Sequence, residues 1–337
     1  MGIVRRFSLR GATREARATV RAIRRLKAEH PGRPVYGILL TEHIGDVIAC
    51  EPVIGWAHDK APNALVVWII GTRYAELLQN HPRLDALFTV DSLAAIAPII
   101  RSGVLDVAID LHINRKPTDV PNVLHMKAWG DPSIDFDTFV REGSLLRALT
   151  KAAGIEQFSH AAHLYVPASA QAKVDSLGLP SRFVVVHPTS NDPTRDWSMD
   201  EWARLTQYIA DDCRLPIVEI GLEPKIGQRP PSIVSVAGSL SIMETAEVIR
   251  RAAYFIGIDS GPAHMANALR TPSLILLGRF RGHDWCPYEG YFRERADARL
   301  LRHKEPVAAL SAGAVIERLR GDHEWRVLAE EPRSPLA

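Results

Sequence analysis

Phe255-Ile256-Gly257-Ile258-Asp259-Ser260-Gly261-Pro262-Ala263-His264-Met265-Ala266-Asn267-Ala268-Leu269 is the stretch that decides how this chain is read. An apolar run stops at Asp259, a Ser-Gly-Pro turn follows, and small residues at helical spacing lead to a second apolar run from Pro272 to Leu277. This is the pattern of a buried strand, a tight connection, a helix and the next parallel strand. Pro262 suits the start of the helix, where its missing N–H costs nothing, and the free N–H groups beside it make an anion site. Packing alone does not ask for an Asp, a Gly and a His at one strand end.

The same alternation extends in both directions. Strands are expected at 35–41, 64–70, 85–90 and 104–110, then at 182–187, 215–221, 232–236, 254–259 and 273–278. Between the two clusters, 112–180 contains Pro117, Pro121, Pro132, Pro167 and Pro180 and reads as loops and helices. The expected architecture is α/β, with two Rossmann-like domains facing a central cleft. The expected boundaries are a basic segment at 1–33, a first domain at 34–170, and a second at 171–337 with a closing helix near 306–320.

Composition narrows the class. With 337 residues, 46% hydrophobic and 24% charged, the chain holds enough apolar surface for two cores, and disorder is excluded. No apolar run is long enough to span a bilayer, and no apolar stretch of a secretory signal follows the N-terminal charges. Cys50, Cys213 and Cys286 lie far apart without CxxC spacing, which argues against a disulfide framework or a thiolate zinc site and fits a reducing cytoplasm. No repeat of fixed period is present.

The net charge of +2 is unevenly spread: residues 1–33 carry ten Lys or Arg against Glu15 and Glu29, a block of +8 that leaves −6 elsewhere. On a helical wheel Leu9, Ala12, Ala16, Val20, Ile23 and Leu26 fall within about 120°, with arginines around much of the rest. Two readings stand: a helix on an anionic membrane surface, which would make the protein peripheral, or a bland one, a solvated helix or one docked on the acidic remainder of the chain. No nucleic-acid partner is expected.

In open α/β sheets ligands bind beyond the carboxyl ends of the strands, so the loops after 41, 110, 187, 221 and 259 hold the candidates. After the first strand come Glu42, His43, Ile44, Gly45 and Asp46. Gly45 admits a substrate close to the backbone, and Asp46 stands at a helix N-terminus, where the alternative is a simple cap. Asp110-Leu111-His112 ends the fourth strand and is placed to line an acceptor side together with His43. After 187, Thr189, Ser190 and Arg195 supply hydroxyls and a guanidinium, the ingredients of a diphosphate site. Trp197 reads as packing under the next helix. Asp135-Phe136-Asp137 has the DxD form that holds a divalent ion in metal-dependent sugar transfer, yet it does not follow a central strand. The aromatic and cationic loop 278–288 reads either as a cover over a ligand or as a surface loop packed by its own rings.

Taken together these residues resemble glycosyltransferase family 9, the lipopolysaccharide heptosyltransferases and their relatives. Its D-[TS]-G-x-x-H-x-A-x-A signature is similar to Asp259, Ser260, Gly261, His264, Ala266 and Ala268, and its N-terminal Gly-Asp to Gly45 and Asp46, with Pro52 behind. Its Lys-x-Trp resembles Arg195-Asp196-Trp197, and its glycine-then-acid pair resembles Gly221 and Glu223. The likeness runs from about 35 to 320. Arg195 in place of Lys, Thr189 in place of Gly and Pro262 in place of an apolar residue bear on donor identity more than on reaction class.

The resemblance implies a GT-B fold and an inverting transfer without a metal or other cofactor, from a nucleotide sugar to a glycan or lipid-linked saccharide. Asp46 would be the general base. Arg195, Ser260, Gly261 and His264 would hold the diphosphate, with Thr189 and Ser190 beside them, and Glu223 and Asp259 would hold ribose hydroxyls or orient the loop. The alternatives are a sugar-nucleotide epimerase or hydrolase of the same fold, and a binding module without catalysis.

Overall fold

A computed structural model describes residues 8–127, 129–226 and 233–330. The chain divides into two compact units, one running to Tyr165 and including Pro287–Glu289, the other beginning at Val166.

The first unit is built on a parallel sheet of β1 (Val35–Leu39), β2 (Leu65–Gly71), β3 (Ala86–Val90) and β4 (Val107–Asp110), in the order β3-β2-β1-β4. Every residue of β2 is buried, the continuous apolar run that a parallel strand covered on both faces requires. Because β2 lies on one side of β1 and β4 on the other, the strand order reverses between β1 and β4. That is the place where an open sheet leaves a crevice at its carboxyl edge. The region after β4 contributes a small antiparallel pair, β5 (Lys116–Pro117) and β6 (Leu124–His125).

Helix α1 (Leu9–Glu29) does not stand apart from this unit. Ala12, Ala16, Val20 and Ile23 are buried, and the last three join Val35, Leu39, Leu65, Ile96 and Ile99 in one core. Lys27 Nζ lies 2.8 Å from Asp106 Oδ2, and Asp106 also accepts the Val35 N–H at 2.7 Å, tying the helix to the start of β1. Of the two readings, the docked one describes the apolar stripe, which is covered by the protein's own sheet and its helices. The outward face keeps Arg10, Arg14, Arg17, Arg21 and Arg24 exposed. Arg5 and Arg6 of the basic block lie outside the described residues.

The second unit carries six parallel strands, β7 (Val184–His187), β8 (Ile217–Glu219), β9 (Ile233–Ser235), β10 (Tyr254–Ile258), β11 (Ser273–Leu277) and β12 (Leu300–Arg302), ordered β12-β11-β10-β7-β8-β9. The order reverses between β7 and β10, which repeats the arrangement of the first unit. Strand β12 was not expected from sequence: three residues at a sheet edge are too few to show a period.

The helix expected to close the structure runs from Ala312 to Gly321 and serves the second unit's own core. Ala312, Val315 and Leu319 pack with Trp197, Trp202 and Leu205. Trp197 is 1% exposed and donates its indole N–H to the Leu310 carbonyl at 2.7 Å, the structural role expected of it. All three cysteines are free thiols, and among the described residues no helix is long and apolar enough to cross a membrane.

Candidate functional site

Each reversal point gathers polar side chains at the carboxyl ends of its strands. In the second unit, β10 ends at Ile258 and α3 (Gly261–Leu269) follows after Asp259 and Ser260. Ser260 is the extended N-cap residue and Pro262 sits in the first turn, so the N–H groups of Gly261 and Ala263 are those a helix leaves without an internal partner. His264 follows in the same turn, is buried, and donates its N–H to the Ser260 carbonyl at 3.2 Å.

The Ser260 hydroxyl does not cap the helix. It lies 3.1 Å from His187 Nδ1, at the end of β7, and 3.1 Å from the Ile258 carbonyl. A hydroxyl that donates to the carbonyl accepts from an Nδ1–H, so His187 fixes its rotamer. Burial pushes the His187 pKa down to about 4, and the ring is neutral at ordinary pH.

The loop after β7 is held rigid by its own side chains. Asp196 accepts the Ser190 N–H at 2.7 Å, the Ser190 hydroxyl donates to the Asp192 carbonyl at 2.7 Å, and Asp192 caps the turn Pro193–Arg195 through the Thr194 N–H and hydroxyl. Thr189 is half-buried at the start of that loop. The turn delivers Arg195, whose guanidinium lies 3.1 Å from Asp259 Oδ2 and stacks over Phe280 at 5.2 Å. Phe280 in turn stacks on Trp285 with ring centroids 5.5 Å apart.

Arg195, Asp259, Gly278, Phe280 and Trp285 line a small pocket at this strand edge. Gly278 has to be glycine: a Cβ there would stand 2.1 Å from the Val307 backbone nitrogen. Glu223 is placed differently. It is exposed on the loop after β8 and paired with Lys225 at 2.5 Å, while the buried Glu219 accepts the N–H groups of Lys225 and Ile226 at 2.7 and 2.9 Å.

In the first unit, α2 (Ile44–Cys50) begins directly after β1. His43 is its N-cap residue, and Asp46 returns to accept the His43 N–H at 3.3 Å, a capping box that places the carboxylate and Gly45 at the strand end. His43 is exposed, with Nδ1 3.5 Å from the Tyr74 hydroxyl. Glu42 pairs with Lys116 at 2.8 Å; burial would raise its pKa, but the ammonium more than reverses this and holds it at about 2.

Asp110 and His112 require a correction. They were expected to line an acceptor side, yet they are 2% and 1% exposed, beneath the edge rather than on it. Asp110 Oδ1 lies 2.8 Å from His112 Nδ1, and Oδ2 lies 2.8 Å from Nε2 of His125, a residue that sequence reasoning missed. A second missed residue, Lys127, donates to the carbonyls of Asp110 and His112 at 2.5 and 2.9 Å. A buried Asp must be paired to stay charged, and here two imidazoles satisfy it. The two histidines and Asp110 are also the group with metal-ligand chemistry among the described residues. However, the Thr41 N–H donates to His112 Nε2 at 3.0 Å, so the other nitrogen, Nδ1, carries the proton and faces Asp110. The DxD pair is placed elsewhere: Asp135 folds back to accept the N–H groups of Asp137 and Thr138 at 3.0 and 3.1 Å.

Comparison with known proteins adds independent findings. Residues 144–292 match the family model described as glycosyltransferase family 9 (heptosyltransferase). A lipopolysaccharide heptosyltransferase 3 of Escherichia coli is 22% identical over 286 residues, covering 72% of this chain and 83% of that protein. Its counterpart in strain K12 is 26% identical over 125 residues, 34% of this chain and 36% of the relative's length. Among solved structures, the E. coli ADP-heptose lps heptosyltransferase II superposes with a TM-score of 0.61 at 16% identity, covering 86% of this chain and 98% of that one.

Proposed function

We propose that this chain, which matches the glycosyltransferase family 9 model over residues 144–292 and has a GT-B fold, transfers a heptose or related sugar with inversion, from a nucleotide diphosphate donor to a saccharide acceptor, with Asp46 as general base. The observation that supports this most directly lies within the second unit, where Arg195 and the first turn of α3 stand at one strand end as candidate diphosphate ligands; in the first unit Asp46 stands on a helix N-terminus at a strand end of its own. As the acceptor oxygen bonds to the anomeric carbon, the bond from that carbon to the diphosphate oxygen breaks and the hydroxyl proton passes to Asp46. Negative charge then grows on the departing diphosphate, where a guanidinium and helix N–H groups stabilise it. The donor class is proposed from the relatives whose names carry ADP-heptose, and the acceptor from those named for lipopolysaccharide.

Asp46→Asn tests the base. It keeps a cap for the His43 N–H, so kcat is expected to fall about 10²–10⁴-fold with donor Kd unchanged. A variant within threefold of the parent rate refutes the assignment.

We also propose that the arginine face of α1 rests on an anionic membrane surface by charge alone, which brings a lipid-linked acceptor close. Arg10, Arg14, Arg17 and Arg21 recur every three or four residues along one exposed face whose opposite side is packed. At roughly 1 kcal/mol per Arg, replacing all four by Ala should weaken binding to anionic vesicles about a thousandfold while leaving turnover of a soluble acceptor intact. Deleting the helix would not test this, because its inner face belongs to the core. Equal co-sedimentation of parent and variant with phosphatidylglycerol vesicles at low salt would end the proposal.

A further inference from the structure

Asp110 and His112 are buried at the reversal point of the first sheet, and their hydrogen bonds lead to the residues that carry Asp46. Backbone pairing between β1 and β4 ends at Leu39 and Asp110, with one more bond from the Leu111 N–H to the Leu39 carbonyl at 3.0 Å. The Thr41 N–H comes next, in a buried residue, and no backbone carbonyl of β4 continues the ladder to meet it. His112 does so instead: its Nε2 accepts that N–H at 3.0 Å and lies 2.9 Å from the Thr41 hydroxyl. Its Nδ1 is held by Asp110, whose other oxygen is held by His125, and Lys127 fixes the two strand-end carbonyls.

Thr41 is fastened from the other side as well. Its carbonyl accepts the Gly71 N–H at 3.1 Å, and the Leu40 carbonyl accepts the Trp68 indole N–H at 3.1 Å. The chain leaves this clamp at Glu42 and reaches His43, whose N–H is bonded to Asp46. A buried donor left unpaired carries a desolvation penalty, so without His112 the loop would shift to satisfy the Thr41 N–H, and the carboxylate would shift with it.

We propose that Asp110 and His112 are a positioning pair: the imidazole, oriented by Asp110, extends the β1–β4 ladder by one rung to Thr41 and so fixes the loop that sets Asp46 against the acceptor hydroxyl. This rests on the assignment of Asp46 as the base. Neither residue exchanges a proton with substrate.

Two substitutions of His112 separate its two hydrogen bonds. Gln places a carbonyl oxygen near the position of Nε2 and can accept from Thr41. Asn places an amide near Nδ1, serves Asp110, and leaves the Thr41 N–H without an acceptor. His112→Gln is expected to keep kcat within about threefold of the parent. His112→Asn is expected to lower kcat tenfold or more, with donor Kd and acceptor KM within twofold and faster exchange of the Thr41 amide in the full-length protein. A role confined to stabilising the fold would instead lower the melting temperature of both variants and leave the kcat of the surviving folded enzyme unchanged. That result, or a His112→Asn enzyme with parental kcat and amide protection, overturns the proposal. Asp46→Asn is run alongside: inactivity there with a fully active His112→Asn removes only the positioning pair, whereas an active Asp46→Asn removes the base and the pair together.

Discussion

His187 offers a direct measure of how deeply the second strand end is buried. The residue is 6% exposed, its pKa is pushed from 6.5 down to about 4 by burial, and its Nδ1 lies beside the Ser260 hydroxyl. In the unfolded chain the same imidazole titrates near 6.5, so between these values the unfolded state binds more protons. Stability therefore falls as the pH drops below about 6.5 and stops falling from this cause near 4. For a displacement of this size the loss is small at pH 7 and amounts to about 2 kcal/mol at pH 5. His187→Asn removes the titration while keeping an N–H for Ser260. Hydrogen exchange of the β7 and β10 amides in the full chain, corrected for intrinsic rates, reads the second unit alone. The parent should lose about 2 kcal/mol more than the variant between pH 7 and pH 5, with every other titrating group cancelling in the difference. Equal losses within about 0.5 kcal/mol would refute the picture of a neutral, desolvated imidazole beneath Ser260.

Other outcomes follow from the same geometry. Arg195→Ala should weaken nucleotide-sugar binding and slow transfer, and Arg195→Lys should recover part of both, since Lys restores the charge but not the fork that reaches Asp259 and Asn191; an Ala variant with parental Kd and kcat would place the diphosphate elsewhere. Transfer should persist within twofold in EDTA, because Arg195 and the α3 N–H groups are assigned the charge on the leaving group; complete loss, restored by magnesium or manganese, would move the diphosphate site to Asp135 and Asp137. Gly71→Ala should destabilise the first unit by roughly 1–3 kcal/mol and lower kcat, since its Cβ would stand 2.2 Å from the Thr41 carbonyl oxygen; a variant with parental melting and rate would show that the clamp on Thr41 is slack.

The fold was legible because parallel strands buried on both faces are written as plain apolar runs. β2 and β10 are buried at every position, and each is bounded by residues that stop a strand. What composition left open was the partner of the first helix. Its stripe of Ala12, Ala16, Val20 and Ile23 packs on the first unit's core, and periodicity reports that one face is apolar without saying what covers it. Strand β12 and the true role of the helix at Ala312–Gly321 were hidden for a related reason, because both take their meaning from neighbours distant in sequence.

The placement of the candidate site residues was legible only where the motif and the local structure use the same residues. Asp46 and His264 sit on helix first turns that follow strands, and Ser260 is the N-cap of the second of these helices, so the motif that suggests them also places them. Asp110 and His112 follow a strand too, and position alone assigned them to a substrate. Their depth is set by His125 and Lys127, which lie 15 and 17 residues beyond Asp110 in a proline-rich segment with no period to announce them. A carboxylate at a strand end has two ways to keep its charge: a substrate and water above it, or buried donors below. Only the tertiary structure shows which donors arrive, and here two imidazoles convert an apparent binding residue into the support for the loop bearing Asp46.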